Sequence, residues 1–230
     1  MNDHPDYLRS PENACRADRR NESSAFADSI GLGKTIEGHH ATVSGIVLNE
    51  AVPENIRVQF ETTKNLYFYS WFVYRFHSVA QMHAYACLEL ALRVRFEADL
   101  HSSGGRDGER KPGLRRLLRY AIKEGYLKNE GFEAWRRTTE LRARDRTMFD
   151  LLEEMNSLGV DELEFDESEI VIKDEDRDHD YLANVLENTP ELRNHYAHGS
   201  SSLNGQSLGS LKLAQEIINQ LWPIAPEIPR

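Results

Sequence analysis

The feature that most constrains this fold is Thr62–Leu100, a stretch of 39 residues that contains neither proline nor glycine. As a single helix it would be roughly 55 Å long. Its first third is rich in aromatic side chains, and its later apolar residues recur at three- and four-residue spacing, which is typical of an amphipathic helix. We therefore predict one long helix here. Its aromatic part is expected to meet the core on one side and an arm or a second subunit on the other.

The rest of the chain also favours helices separated by short breaks. Residues 102–113 predict a flexible loop, and Gly159 predicts a helix end. One β-favouring run, Ile170–Ile172, predicts an isolated strand or hairpin. The predicted fold is all-α, a bundle of about five helices. After the long one come a helix that turns Leu114, Leu117, Leu118 and Ile122 inward, then Glu130–Leu158, then Asp180–Asn188 with a restart at Pro190, and finally Leu208–Leu221.

The first 55 residues are polar and predict an arm rather than a core. One short apolar run, Ala41–Leu48, is interpreted as a strand or a docking segment. We expect this arm to be disordered, or to pack on the main domain or on a partner. The main helical domain is assigned to residues 56–222 and a short tail to residues 223–230.

Export, membrane insertion and metal binding are not favoured by the sequence. Met1–Arg20 lacks the apolar core of a signal peptide, and the apolar run Leu66–Val73 is far shorter than the roughly 20 residues of a membrane span. The two cysteines, Cys15 and Cys87, suggest neither a disulfide framework nor a metal cluster. We expect a cytoplasmic protein without membrane contact, metal or other cofactor.

The charge is unevenly distributed along the chain. A net charge of −10 argues against a uniformly basic nucleic-acid binder. Residues 106–146 nevertheless carry thirteen Lys/Arg against seven Asp/Glu, whereas residues 161–180 carry eleven acids against Lys173 and Arg177. Two interpretations stay open. Both stretches are solvated faces, or the basic middle attracts a polyanion with which the acidic segment competes. Under the second interpretation the candidate contacts with that polyanion are Arg115, Arg116, Arg119, Arg136 and Arg137.

The segment from Thr189 to Gly199 places an arginine, an amide and a histidine on one short predicted helix. Thr189 is the predicted N-cap, with Pro190 at the first helical position and Gly199 as the stop. Asn194 and His198 are four residues apart and therefore share a face. Arg193 lies about 100° away and needs its long side chain to reach the same point. We expect Leu192 and Tyr196 to anchor this helix in the core, with His195 between the two faces.

These residue types suit work on a phosphodiester. Arginine neutralises phosphate, histidine moves protons near neutral pH, and an amide orients either partner. A structural interpretation stands beside this one, because the same arginine, amide and histidine could simply satisfy the two ends of the helix.

The sequence Arg193-Asn194-His195-Tyr196-Ala197-His198 resembles the motif of HEPN domains, in which an arginine and a following polar residue precede a histidine on the penultimate helix. The resemblance covers about residues 56–222. It implies a helical bundle that dimerises so that two motifs face each other across a cleft. Many such domains are metal-independent endoribonucleases of toxin–antitoxin or phage-defence systems, which implies an RNA substrate and an antitoxin or other defence-system partner.

The resemblance also implies roles for individual residues. His198 would act as general base or acid, Arg193 would stabilise charge on the phosphate, and Asn194 would position either group. Glu89 is expected to form a helical ion pair with Arg93 or, alternatively, to hold Arg193 across the bundle, while His195 and Tyr196 support the site. In the subgroup that is controlled by AMPylation, a tyrosine stands two residues after the motif histidine. Here that position is Ser200, so such control is not supported.

Two other functions remain open from the sequence. The chain could be an interaction module without catalytic activity, using the aromatic helix and the acidic segment to bind a partner. It could also sense a nucleotide in the cleft of the bundle.

Overall fold

A computed structural model describes residues 4–22, 35–102, 112–197, 203 and 205–224. Within these residues the fold is all-α, as predicted, and it contains no β-strand, so the strand predicted at Ile170–Ile172 is wrong. The α-helices are α1 Arg19–Glu22, α2 Ile36–Ser44, α3 Glu54–Tyr69, α4 Phe76–Ser102, α5 Leu114–Lys123, α6 Glu133–Leu158, α7 Tyr181–Ala197 and α8 Ser207–Leu221.

The chain divides into two compact units. The first comprises Met1–Leu127 and Leu186–Arg230, and the second comprises Lys128–Val185. Helix α7 begins in the second unit and ends in the first.

Helix α4 is the centre of the first unit. It packs against α3, α5 and α8. Its apolar residues Ala84, Leu88 and Leu92 are buried, and so are leucines of α5 and isoleucines of α8. The inward placement predicted for α5 is confirmed for Leu114, Leu117 and Leu118, while Ile122 is half-buried.

The single long helix predicted over Thr62–Leu100 is wrong, because residues 70–75 interrupt it between α3 and α4. The break is stabilised by residues from far earlier in the chain. The Asn21 side chain donates to the carbonyls of Ser70 and Trp71, at 2.9 Å each, and the Asp18 amide also donates to Trp71. These donors satisfy carbonyls that a continuous helix would have bonded internally.

The described part of the N-terminal region is helical and partly buried. Helix α2 is capped by Thr35, whose hydroxyl accepts from the Gly38 amide. Val43, Ile46 and Leu48 are buried, so the apolar run predicted as a strand or a docking segment ends α2 and packs inward rather than forming a strand.

The second unit is built from α6, three short 3₁₀ turns and the first turns of α7. Phe132 and Trp135 are buried, and the Trp135 indole donates to the His179 carbonyl at 3.0 Å. Asn129 accepts from the Leu182 amide and so caps the start of α7. Helix α6 ends at Gly159, which is left-handed at φ 65°, as the sequence predicted.

Candidate functional site

Helix α7 runs through Pro190 without a restart. The predicted break after Asn188 and the N-cap role of Thr189 are therefore wrong. Thr189 and Pro190 are buried in the helix interior, and the Leu186 carbonyl lacks the amide donor that any other residue at position 190 would supply. Packing around Thr189 and Pro190 thus keeps the backbone helical at a point where the local Thr-Pro sequence favours a helix boundary.

The side of α7 that packs is not the one predicted. Leu192 is 41% exposed, whereas Arg193 and Tyr196 are half-buried on the same side as Thr189. The expectation that Leu192 anchors the helix is therefore wrong. Arg193 lies on the packed side of the helix instead, at the edge of the first unit.

Arg193 is held by Glu89 of α4. The Arg193 Nη2 atom lies 3.1 Å from Glu89 Oε2, and Arg93 Nη2 lies 2.9 Å from Glu89 Oε1, so each carboxylate oxygen accepts from a different guanidinium. Both contacts proposed for Glu89 from the sequence are present. The Glu89 side chain is 15% exposed and that of Arg193 is 40% exposed, so one acid orients an arginine that still reaches solvent.

The other motif residues are Asn194, His195 and His198, and the structure describes the first two. Asn194 is exposed, and its Oδ1 accepts from Arg193 Nη1 at 3.3 Å. His195 is exposed with its ring against that of Tyr196. His198, the predicted catalytic histidine, lies outside the described residues, as do Gly199 and Ser200.

Tyr196 fixes the last turn of α7 against α4. Its ring is stacked with that of Tyr85 at 6.3 Å between centroids, and the Tyr85 hydroxyl lies 3.3 Å from Ser210 Oγ of α8. Burial raises the pKa of Tyr85, so its phenol is neutral near pH 7. The supporting position proposed for Tyr196 thus has a physical basis in this ring contact.

Three of the candidate RNA-binding arginines lie on α5. Its leucines face inward, while Arg115, Arg116 and Arg119 lie on the exposed side. Arg115 Nη2 lies 3.5 Å from Glu191 Oε1 and 3.3 Å from the Glu187 carbonyl, which places this basic side next to α7. One basic helix therefore borders the helix that carries Arg193.

The other two candidates, Arg136 and Arg137, are exposed on α6 in the second unit. Further along α6, the acidic segment engages different arginines. Arg146 pairs with Asp176 at 2.9 Å, and this hydrogen bond lowers the pKa of Asp176 to about 2. Arg144 pairs with Glu167 at 2.6 Å. The acidic segment thus neutralises part of the basic stretch within its own unit.

Sequence reasoning missed a row of polar residues along α4. Every fourth residue is polar: His77, Gln81, Tyr85, Glu89 and Arg93. His77 contacts Ser207 of α8. Tyr85 contacts Ser210 of α8 and the ring of Tyr196 on α7. Glu89 contacts Arg193 of α7. The i, i+4 spacing of polar residues, three of which are buried among alanines and leucines, was the signal that could have revealed it.

The buried end of this row is a hydrogen-bonded cluster around His77. Ser70 Oγ donates to the Tyr67 carbonyl, so it accepts from His77 Nε2 at 3.1 Å, and His77 Nδ1 accepts from Ser207 Oγ at 2.6 Å. Burial lowers the pKa of His77 to about 4, with nearby His39 adding to the effect. The imidazole is therefore neutral, and it joins α4 to the first turn of α8.

Comparisons of the chain with protein-family models, with curated proteins and with solved structures found no match. The resemblance to HEPN domains therefore rests on the motif residues and on the order of the helices. Among the described helices, none is both long enough and apolar enough to cross a membrane.

Proposed function

We propose that this chain is a metal-independent endoribonuclease of the HEPN type, in a toxin or phage-defence setting, whose active site is completed by a second copy. The observation that carries the proposal is the contact of Glu89 with both Arg93 and Arg193. An acid holds Arg193, with Asn194 beside it, at the end of the helix that leads directly into His198. The packing of α4 against α3, α5 and α8, together with the end of α7, supports a HEPN-like bundle.

The proposed chemistry uses the ribose itself as nucleophile. One His198 removes the 2′-OH proton, the 2′-oxygen attacks phosphorus, and the bond to the 5′-oxygen breaks as the partner's His198 protonates that oxygen. The products are a 2′,3′-cyclic phosphate and a 5′-hydroxyl. Arg193 stabilises the charge on the phosphate, and Glu89 fixes the orientation of the guanidinium. DNA lacks the nucleophile and is not cut.

RNA cleavage in EDTA tests this proposal. His198→Ala should lower the cleavage rate by roughly 10²- to 10⁴-fold, the range for loss of a general acid or base. The matched control is His101→Ala, which changes an exposed histidine in the last turn of α4. Equal cleavage by wild type and His198→Ala would sink the assignment, and so would cleavage of an all-deoxy substrate.

The basic side of α5 has its own test. Arg116→Ala and Arg119→Ala should each weaken binding to RNA of any sequence. Each should also lower by about one the number of counterions released on binding, which is measured from the salt dependence of the affinity. Arg136→Ala and Arg137→Ala measure the contribution of the second unit separately. Unchanged affinity in all four variants would remove the basic stretch from the binding site.

A second candidate function is favoured by the same ion pair. Because Glu89 neutralises Arg193, the contact also suits a binding or nucleotide-sensing module in which Arg193 only fastens α7 to α4. Under this alternative Arg193→Ala lowers the melting temperature, RNA stays intact with either protein, and a nucleotide raises the melting temperature.

A further inference from the structure

Helix α6 exposes an apolar face along the half that leads to Gly159. No residue from Met148 to Leu158 is buried, although the helix is continuous from Glu133 to Leu158. Phe149 is 68% exposed and Leu152 is 50% exposed. An exposed cluster of large apolar residues on a charged protein marks an interaction surface.

The spacing of these residues is that of a coiled-coil seam. Leu141, Met148 and Met155 are each seven residues apart, and Asp145 and Leu152 fall between them at the alternate seam positions. Leu141 and Met148 are exposed, and Met155 is half-exposed. We call the face formed by Leu141, Asp145, Met148, Leu152 and Met155 the α6 seam. It offers a partner helix a continuous strip about four turns long.

Local energetics also favour a partner for this segment. None of the eleven residues 148–158 is fully buried, and an isolated helix shorter than roughly 12–15 residues is marginal in water. Helical stability in proteins comes mainly from packing of an apolar face. This half of α6 has such a face, and its residues Met148, Phe149 and Leu152 stay exposed.

The charges along α6 indicate which partner fits. Residues 133–147 carry five arginines and three acids, whereas residues 148–158 carry Asp150, Glu153 and Glu154 and no base. A second α6 laid antiparallel places its acidic end beside the arginine-rich half of the first. A parallel arrangement instead brings like charges together.

We propose that a second copy of this chain docks antiparallel along the α6 seam. This self-association does not depend on the proposed nuclease activity, and the surface lies in the second unit, whereas Arg193 lies in the first. Asp145 is the one charged residue in the seam, and it weakens the pairing while favouring a single register.

Sedimentation equilibrium on the full chain tests the proposal. The double variant Met148→Glu/Leu152→Glu should raise the dissociation constant for self-association by more than about tenfold, because four carboxylates then meet in the seam. Asp145→Leu should lower it by about tenfold. The matched control is Glu154→Leu, the same type of change on the opposite side of α6, which should leave it unchanged. Circular dichroism of each variant verifies that the helices are retained.

Orientation is measured with spin labels at Ser157→Cys, in a Cys15→Ser background. In an antiparallel pair centred on the seam, the two labels lie about 27 Å apart along the helix axis, whereas a parallel pair brings them side by side. A chain that stays monomeric overturns the proposal, and so do equal effects of Asp145→Leu and Glu154→Leu, because the association would then not run through the seam. A short distance between the labels overturns the antiparallel arrangement. Loss of RNA cleavage in motif variants does not bear on any of these results.

Discussion

Helices α4 and α6 have nearly the same length, 27 and 26 residues, yet they are used in opposite ways. Helix α4 is packed against three other helices, and its polar residues His77, Tyr85 and Glu89 are held by side chains from distant parts of the chain. Helix α6 buries residues only in its first half, and its later apolar residues are exposed. Each helix departs from the usual arrangement of apolar residues inside and polar residues outside, but in the opposite sense. Polar residues on a packed helix form the candidate site, and apolar residues on an open helix form the candidate interface.

The largest expected effect comes from removing a buried side chain of α4. Leu88 is fully buried, so Leu88→Ala should lower the free energy of unfolding by about 2–5 kcal/mol. The same change in α6, Leu152→Ala, should cost less than about 1 kcal/mol in dilute solution, because Leu152 is half exposed. Urea denaturation of both variants measures the difference. Similar costs would mean that α6 is packed as α4 is.

The next largest effect is the pH dependence due to His77. Its pKa is about 4 in the folded protein and 6.5 in the unfolded chain, so the unfolded chain binds more protons between these values. The free energy of unfolding should therefore fall as the pH drops from 6.5 to 4, by about 3 kcal/mol for this group.

The His77→Gln variant is the control for that pH dependence. It should lose most of the slope in this window and keep the smaller part contributed by His39, whose pKa is also lowered by burial. An unchanged slope in His77→Gln would show that the buried end of the α4 row is not what responds to acid.

A smaller effect is expected at Glu89, towards the exposed end of the same row. Glu89→Gln should lower the free energy of unfolding by about 1 kcal/mol, since Arg193 is 40% exposed and water screens the pair. A double-mutant cycle with Arg193→Gln should return a coupling energy of similar size. A coupling energy of zero would show that Glu89 does not orient Arg193.

The smallest effect is expected for an exposed ion pair on α6. Arg144 and Glu167 are both more than half exposed, so Arg144→Ala should change the free energy of unfolding by less than about 0.5 kcal/mol, and salt should remove the difference. A clear loss of stability in high salt would show that the acidic segment is held to α6 more firmly than this exposure indicates.

The sequence predicted the fold where local chemistry and packing agree. The leucines of α5, the stop at Gly159 and the last helix follow from apolar spacing and from one glycine, and they are found as expected. The break at residues 70–75 was missed because its donors, Asp18 and Asn21, lie about 50 residues earlier in the chain.

For the candidate site, the spacing of residues along the sequence predicted less of the observed structure than it did for the fold. A spacing of four residues shows that Leu192 and Tyr196 are neighbours on α7, but not which side of the helix meets the protein. Arg193 occupies the packed side because Glu89 provides a buried counter-charge there, and no local pattern around residue 193 records that acid 104 positions away.

The sequence by itself determined the helical class, the bounds of the last helix, the end of α6 at Gly159 and the resemblance of Arg193, Asn194 and His198 to a phosphate-handling motif. These depend on residue type and on spacings of a few positions. Only the tertiary structure decided that Pro190 stays inside a helix, that Arg193 packs against Glu89 and that half of α6 lies open. Each of these outcomes depends on which distant side chains come to lie against a helix, and neighbouring residues in the chain carry no record of that.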